Sequence, residues 1–325
     1  MLRRVLGRSI YQKAVTVFVG LRWRRRKRLE YPEAVRRSVE SPSPPVLIYQ
    51  MAKVGSSTVT WALKEFDGLN VFQVHLLNPD NIRRLRDRLR KRGLAARFRT
   101  DMDILGRALY DGLIRPGLKA KVITLVREPI GRNCSFYFQN LDVLWQTADA
   151  HEGVDVSRLA GEYLERFDHR GGLRWFDSEF KPVLGVDIYE HPFPHDKGHA
   201  RITTDLYDIL VLRTDLDDES KRKCVEEFLG VEGLSLRPRN VGSQKPYAAT
   251  YRDFLDALRL PESYVDEMLD SKYTRHFFTP DERATLRAKW LGGSVRQSVE
   301  SGLADGEARK VTDVDEVRSK FGLHS

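Results

Sequence analysis

The run Val46-Leu47-Ile48-Tyr49-Gln50 passes without interruption into Met51-Ala52-Lys53-Val54-Gly55-Ser56-Ser57-Thr58. A short apolar run with no polar alternation reads as a strand buried on both faces. Small and hydroxyl-bearing residues then turn the chain, and Ser57–Phe66 carries a helical pattern that includes Trp61 and Leu63. Strand, small-residue turn and helix start form the first half of a βαβ unit. The alternation continues. Val71–Leu76 reads as a second strand, and Asn78-Pro79-Asp80 opens a charged helix over residues 80–99 with Arg83, Arg84, Arg86, Arg88, Arg90, Lys91 and Arg92. Residues 101–113 read as a helix, Lys121–Arg127 as a third strand, Ile130 to Trp145 as a helix and Asp208–Arg213 as a fourth strand. Residues 247–292 are mostly helical in pattern. The pattern predicts a three-layer α/β fold: a central parallel sheet, helices on both faces, and a helical C-terminal part.

Charge divides the chain differently. Residues 1–40 hold 12 Lys or Arg and 3 Asp or Glu, which equals the whole net charge of +9 and leaves 43 basic and 43 acidic residues elsewhere. The basicity is therefore an N-terminal arm on an electrically balanced body. Leu2, Leu6, Ile10, Ala14, Val17 and Leu21 recur at helical spacing, with Arg3, Arg4, Arg8 and Lys13 elsewhere around the helix and Trp23 and Arg24–Arg28 following. Residues 1–28 are expected either to lie on an anionic membrane surface or to pack on their own domain. The uncharged run Ala14–Leu21 is far shorter than the roughly 20 residues of a membrane span, and no secretory signal is expected. Ser41-Pro42-Ser43-Pro44-Pro45 marks a boundary. The expected organisation is a basic amphipathic arm and linker over 1–44, a main domain over 45–293 and a tail over 294–325. Two cysteines, Cys134 and Cys224, sit in no ligand spacing and fit a reducing compartment. A cytoplasmic protein, peripheral at the inner membrane surface, is the expected location.

The turn after the first strand is an anion site in outline. The first N–H groups of a helix have no internal partner, and the helix dipole adds favourable potential there. Gly55 lets a backbone approach a phosphate closely, Ser56, Ser57 and Thr58 add hydroxyl donors, and Lys53 brings a positive charge. It is not a Walker A loop, which needs a lysine after its glycines, and no acidic residue ends a strand to hold Mg²⁺. A second element follows the third strand: Val126-Arg127-Glu128-Pro129-Ile130-Gly131-Arg132-Asn133-Cys134-Ser135. Arg127 stands at the C-terminal strand end, where open α/β sheets bind ligands. Ser135 lies eight residues on, in the next helix, so the guanidinium and the hydroxyl can converge on one phosphate.

The loop KVGSST after a strand, with VREPIGRNCSFY about 70 residues later, resembles the two nucleotide motifs of the sulfotransferases that use 3′-phosphoadenosine 5′-phosphosulfate (PAPS). The resemblance implies a P-loop-like fold. It also implies a 5′-phosphosulfate on Lys53, Val54, Gly55, Ser56, Ser57 and Thr58, a 3′-phosphate on Arg127 and Ser135, and no metal. Other segments resemble the capsular polysaccharide synthesis branch: Arg174-Trp175-Phe176-Asp177-Ser178-Glu179, Gly185–Tyr189 and Ser271–Phe278. That branch implies a carbohydrate or glycoconjugate acceptor. The resemblance covers roughly 45–292. The adenine-stacking Trp that many cytosolic relatives carry directly after the loop is replaced by Thr58-Val59-Thr60, with Trp61 three residues later.

Sulfuryl transfer needs stabilisation of the leaving oxygen and a base for the acceptor hydroxyl. Lys53 is the candidate for the first. His75, at the end of the second strand, is the candidate for the second, or else caps that strand. Related carbohydrate sulfotransferases place a His or Glu base at a corresponding strand end. His191, His195, His199 and His276 are rivals, the first three in an expected loop over Glu190–His199. No carboxylate completes their spacing as a metal site. Trp175, Asp177 and Glu179 are candidates for acceptor contact, and the last two for the base. The alternatives are a nucleotide kinase or NTPase, which the missing Walker A loop disfavours, and a nucleic-acid binder acting through the basic arm, which the balanced body disfavours.

Overall fold

The computed structural model describes residues 7–91, 102–145, 150–236 and 246–292, with the side chains of 7–22 and 102 outside the description. The strands are β1 (Val46–Tyr49), β2 (Val71–Val74), β3 (Ala120–Val126), β4 (His199–Thr203) and β5 (Tyr207–Arg213). The helices are α1 (Gly7–Val39), α2 (Ser56–Lys64), α3 (Pro79–Lys91), α4 (Met102–Leu109), α5 (Pro129–Gln139), α6 (Leu141–Leu144), α7 (Val156–Arg166), α8 (Lys181–Leu184), α9 (Asp218–Leu229), α10 (Ala248–Ala257), α11 (Glu262–Leu269), α12 (Lys272–Phe277) and α13 (Pro280–Leu291). π-helical turns at Tyr110–Ile114 and Phe176–Phe180 extend α4 and lead into α8.

The sheet order is β2-β1-β3-β5-β4. β1 pairs in parallel with β2 and β3, and β3 with β5, so the four apolar strands read from sequence are all parallel. All four residues of β1 are buried, as a central parallel strand requires. The expected loop over 190–199 extends to Gly198, and its last residue belongs instead to a fifth strand. His199 begins β4, which runs antiparallel to β5. Its burial alternates, as at a half-covered edge, and Arg201 pairs with Asp208 across the hairpin at 2.6 Å. A charged pair on an edge strand discourages pairing with another chain.

Pleating places the layers. Tyr49 and Val74 are in register, and so are Ile48 and Gln73 one step earlier. Successive side chains point to opposite faces. Gln73 bonds Ser56 at the start of α2, whereas Tyr49 stacks on Phe180 of the second π turn. Helical segments therefore cover both faces. The main core fills the space around the sheet, from Val46, Leu47 and Ile48 to Phe176, Phe180 and Phe277. A second core lies between helices: Ile130, Cys134, Tyr137 and Phe138 of α5 pack with Leu159 and Tyr163 of α7, Phe254 of α10, Val265 and Met268 of α11, and Trp290 of α13. α5 thus starts at the sheet edge and ends as a pillar of the helical part.

The helix expected over 1–28 runs through to Val39 and includes Pro32. Its later half packs on the body: Val35 is buried, a Cβ on Gly112 would meet Val35 Cγ1 at 2.9 Å, and Arg24 bonds Asp103 at 2.5 Å. The apolar run Ala14–Leu21 has its side chains outside the description, and the tail 294–325 and residues 92–99 of the charged helix lie outside the described residues. No helix among the described residues is long and apolar enough to cross a membrane.

One close approach fixes α4 on the sheet. A Cβ on Gly106 would lie 2.1 Å from the carbonyl oxygen of Leu76, just past β2. Gly106→Ala is expected to lower stability by about 1–3 kcal/mol through overpacking, measured by urea unfolding. A gain near the ~1 kcal/mol that helix propensity alone gives an alanine would contradict that contact.

Candidate functional site

The C-terminal ends of β1, β2, β3 and β5 face one edge of the sheet, and the loop leaving β1 is built there. Lys53 has φ 72° and Gly55 has φ 74°. Lys53 is the one non-glycine residue with positive φ among the described residues. Such a conformation in a side-chain-bearing residue is strained and persists only where neighbours impose it. Here they do. Three consecutive carbonyls of the loop are held from outside: Arg132 Nε donates to Ala52 O at 3.0 Å, Arg127 Nη1 to Lys53 O at 3.1 Å, and Thr214 Oγ1 shares its one hydrogen between Val54 O at 2.7 Å and Val126 O at 2.8 Å. Gly55 also has no room for a side chain, since a Cβ would meet Thr214 Cγ2 at 2.8 Å.

Gly55 is the N-cap of α2, and no side chain caps that end. The N-terminus of α5 differs, because Glu128 accepts from Ile130 and Gly131 N–H at 2.9 and 2.7 Å. Val54 is fully buried and can offer only its backbone to a ligand. Ser56 Oγ accepts from Gln73. The Ser57 and Thr58 side chains are half-buried at the first turn of α2. At the foot of the loop, Gln50 has its side-chain amide buried with neither end bonded to a described residue.

Counterions separate the arginines near this edge. Arg213, at the end of β5, is salt-bridged to Asp215 at 2.5 Å and Glu282 at 2.7 Å. Its role is structural. Arg127 instead touches the Lys53 carbonyl, while the Tyr273 hydroxyl accepts from Arg127 N–H at 3.1 Å and donates to Arg127 O at 2.8 Å. Arg132, only 7% exposed, meets the Ala52 carbonyl, the Asn133 side-chain oxygen at 3.0 Å and the Phe136 ring. Neither Arg127 nor Arg132 has a carboxylate partner among the described residues. Ser135 lies one helical turn beyond Arg132, on the same side of α5.

His75 follows β2 directly. Its Nδ1 lies 2.8 Å from Gln50 O, so the neutral ring donates there and leaves Nε2 as the basic nitrogen. Burial, and to a lesser degree the positive charge of Arg132, push its pKa below the ordinary value, against the opposing bond to Gln50. Trp175 lies under it, with Nε1 donating to His75 O at 3.2 Å and the ring edge-on to Tyr49 at 5.1 Å.

Trp175 is thus part of the core beneath the site, and Glu179 is deeper still. The Glu179 carboxylate is buried and accepts from Leu77 N–H at 2.5 Å, Asn78 N–H at 2.7 Å, Asn81 Nδ2 at 2.6 Å and Tyr49 Oη at 2.8 Å. Burial raises its pKa although these bonds oppose the shift. With its oxygens filled, it pins the turn after β2 rather than facing a ligand. Asp177 is 48% exposed and held by Lys272 at 3.2 Å. His195 Nε2 is 3.0 Å from His276 O, and His199 Nδ1 is 3.3 Å from Cys224 Sγ. Among the described residues no three His, Cys, Asp or Glu side chains group as metal ligands. The loop, His75, Arg127 and Arg132 therefore gather at one edge, and Asp177 and Glu179 do not join them.

Residues 162–279 match the family described as "putative capsular polysaccharide synthesis protein". No curated protein and no solved structure matches the chain. The family match points to a carbohydrate-related function. The matched segment supplies Trp175, Glu179, Thr214 and Tyr273, each of which bonds a strand end or the loop. The loop itself, His75 and Arg127 precede it.

The lowered pKa of His75 gives a pH prediction. The unfolded chain binds a proton near pH 6.5 that the native ring refuses, so the contribution is full above pH 6.5 and is lost as pH falls from there toward the native value. NMR titration of the ring should give a value below 6.5, and His75→Gln should remove that part of the acid-side loss of stability. A native value above 6.5 would contradict the arrangement.

Proposed function

We propose that this protein transfers a sulfuryl group from PAPS to a hydroxyl of a carbohydrate acceptor. The observation that carries the reading is the loop Gln50–Gly55. Side chains from three elements hold its carbonyls outward, the uncapped start of α2 lies at its end, and Arg127, with no carboxylate partner among the described residues, stands beside it. Tying the carbonyls to the outside leaves the N–H groups to face an anion. The order of residues, with Lys53 before Gly55, favours a transferred group over the metal-clamped triphosphate of a Walker A loop. The family match supports a polysaccharide acceptor.

PAPS, when bound, supplies the activated sulfuryl group. The residues that would hold it are the loop amides, Lys53 and the hydroxyls of Ser57 and Thr58 at the 5′ end, and Arg127 with Ser135 at the 3′-phosphate. Lys53 and the helix N-terminus place positive potential where the leaving oxygen gains charge. His75 Nε2 accepts the proton of the acceptor hydroxyl, with Nδ1–H anchored on Gln50 O. Because burial keeps the ring neutral at pH 7, the base is ready without prior deprotonation.

The test is transfer of radiolabelled sulfate from PAPS to a panel of capsular-type glycans by the full chain. His75→Ala is expected to lower kcat by about 10²- to 10⁴-fold with binding of adenosine 3′,5′-bisphosphate retained. Wild-type kcat should fall only on the acid side, below pH 6.5, and stay level above it. Lys53→Ala should slow turnover, and Arg127→Ala should raise the KM for PAPS. Transfer at the wild-type rate by His75→Ala would remove His75 as the base, and no transfer from PAPS to any glycan would sink the reading.

A further inference from the structure

We infer that Arg132 forms a second anion subsite, beside the loop, whose guanidinium receives an oxyanion of the reacting partners. Arg132 is almost fully buried, yet its partners are a carbonyl, an amide oxygen and an aromatic ring, with no carboxylate among the described residues. A buried cation without a counterion is expensive to keep, and folded chains retain one where an anion completes the site. The negative charge of Asp168 reaches Arg132, but its carboxylate is ion-paired with Arg174. Gly172 leaves the space the guanidinium occupies, since a Cβ there would lie 3.2 Å from Nη1.

The hydrogen-bonding inventory shows which part of Arg132 is available. Nε is used on Ala52 O and Nη1 on Asn133 Oδ1. Nη2 has no partner among the described residues and is not a sealed atom. The ring of His75 holds Gln50 O while Arg132 holds Ala52 O, two residues along the same loop. An anion on Nη2 would therefore lie beside the donor loop, with His75 near enough to feel the Arg132 charge. One oxyanion chemistry has two sources here: the sulfuryl end of the donor, or an acidic group of the acceptor such as a uronate carboxylate. Only the choice of source rests on the sulfuryl-transfer reading.

The experiment separates binding from bracing. On the full chain, ¹⁵N-detected guanidinium signals of Arg132 are followed while inorganic sulfate, PAPS and a uronic-acid oligosaccharide are added in turn. A shift with sulfate and with either of the other two is expected, and which of them moves the signal identifies the source. Affinities are then compared in Arg132→Gln and Arg132→Lys, with thermal unfolding as a check on folding. A ligand contact predicts that Gln, which keeps a donor for Ala52 O but no charge, loses about 10- to 100-fold in affinity while Lys loses less. A purely bracing role predicts equal losses, or a smaller one for Gln. Unmoved Arg132 signals with every ligand would overturn the subsite while leaving PAPS-dependent transfer intact. A sulfate response without any PAPS binding would keep the subsite and sink the sulfuryl-transfer reading.

Discussion

Everything at the sheet edge depends on three hydrogen bonds to consecutive carbonyls. Ala52, Lys53 and Val54 leave β1 with their oxygens claimed by Arg132, Arg127 and Thr214. Those donors come from α5, from the residue after β3 and from the residue after β5. The loop can hold a positive φ at Lys53 only because three other elements impose it. The outcome is a loop whose carbonyls are held in place before any ligand arrives, and a fixed backbone is what electrostatic preorganisation requires.

The family-matched segment acts mostly from below. Tyr273 fixes both backbone groups of Arg127, Trp175 fixes the carbonyl of His75, and Glu179 fixes the turn after β2. Each is a long-range contact between 162–279 and the N-terminal strands. A chain in which these residues mattered only for the core would not need polar atoms aimed at strand ends. Their common effect is to set the height and orientation of groups that they do not themselves present.

Sequence periodicity suffices for the parallel strands, because β1, β3 and β5 are buried and mostly apolar and β2, though half-buried, keeps three apolar residues of four. It does not reveal β4, a five-residue edge strand whose alternation takes on meaning only with β5 beside it. The placement of Lys53, Gly55, His75 and Arg127 at one sheet edge is legible because each follows the end of a parallel strand. Glu179 reads in the sequence as a candidate for acceptor contact or for the base, since its burial and its four donors arrive only with folding. Arg132 carries no signal of its own in the sequence, although it lies five residues after Arg127 and three before Ser135. Its lack of a counterion is a tertiary fact, and so is the clamp from Tyr273, 146 residues from Arg127.

The central claim is that this edge binds a nucleotide by its 3′-phosphate as well as its 5′ end. Calorimetry on the full chain, comparing adenosine 3′,5′-bisphosphate with adenosine 5′-monophosphate at fixed salt, tests it most directly. The account predicts that the bisphosphate binds at least about 10-fold more tightly, the worth of one charge-assisted contact. Equal affinity for the two nucleotides would contradict it.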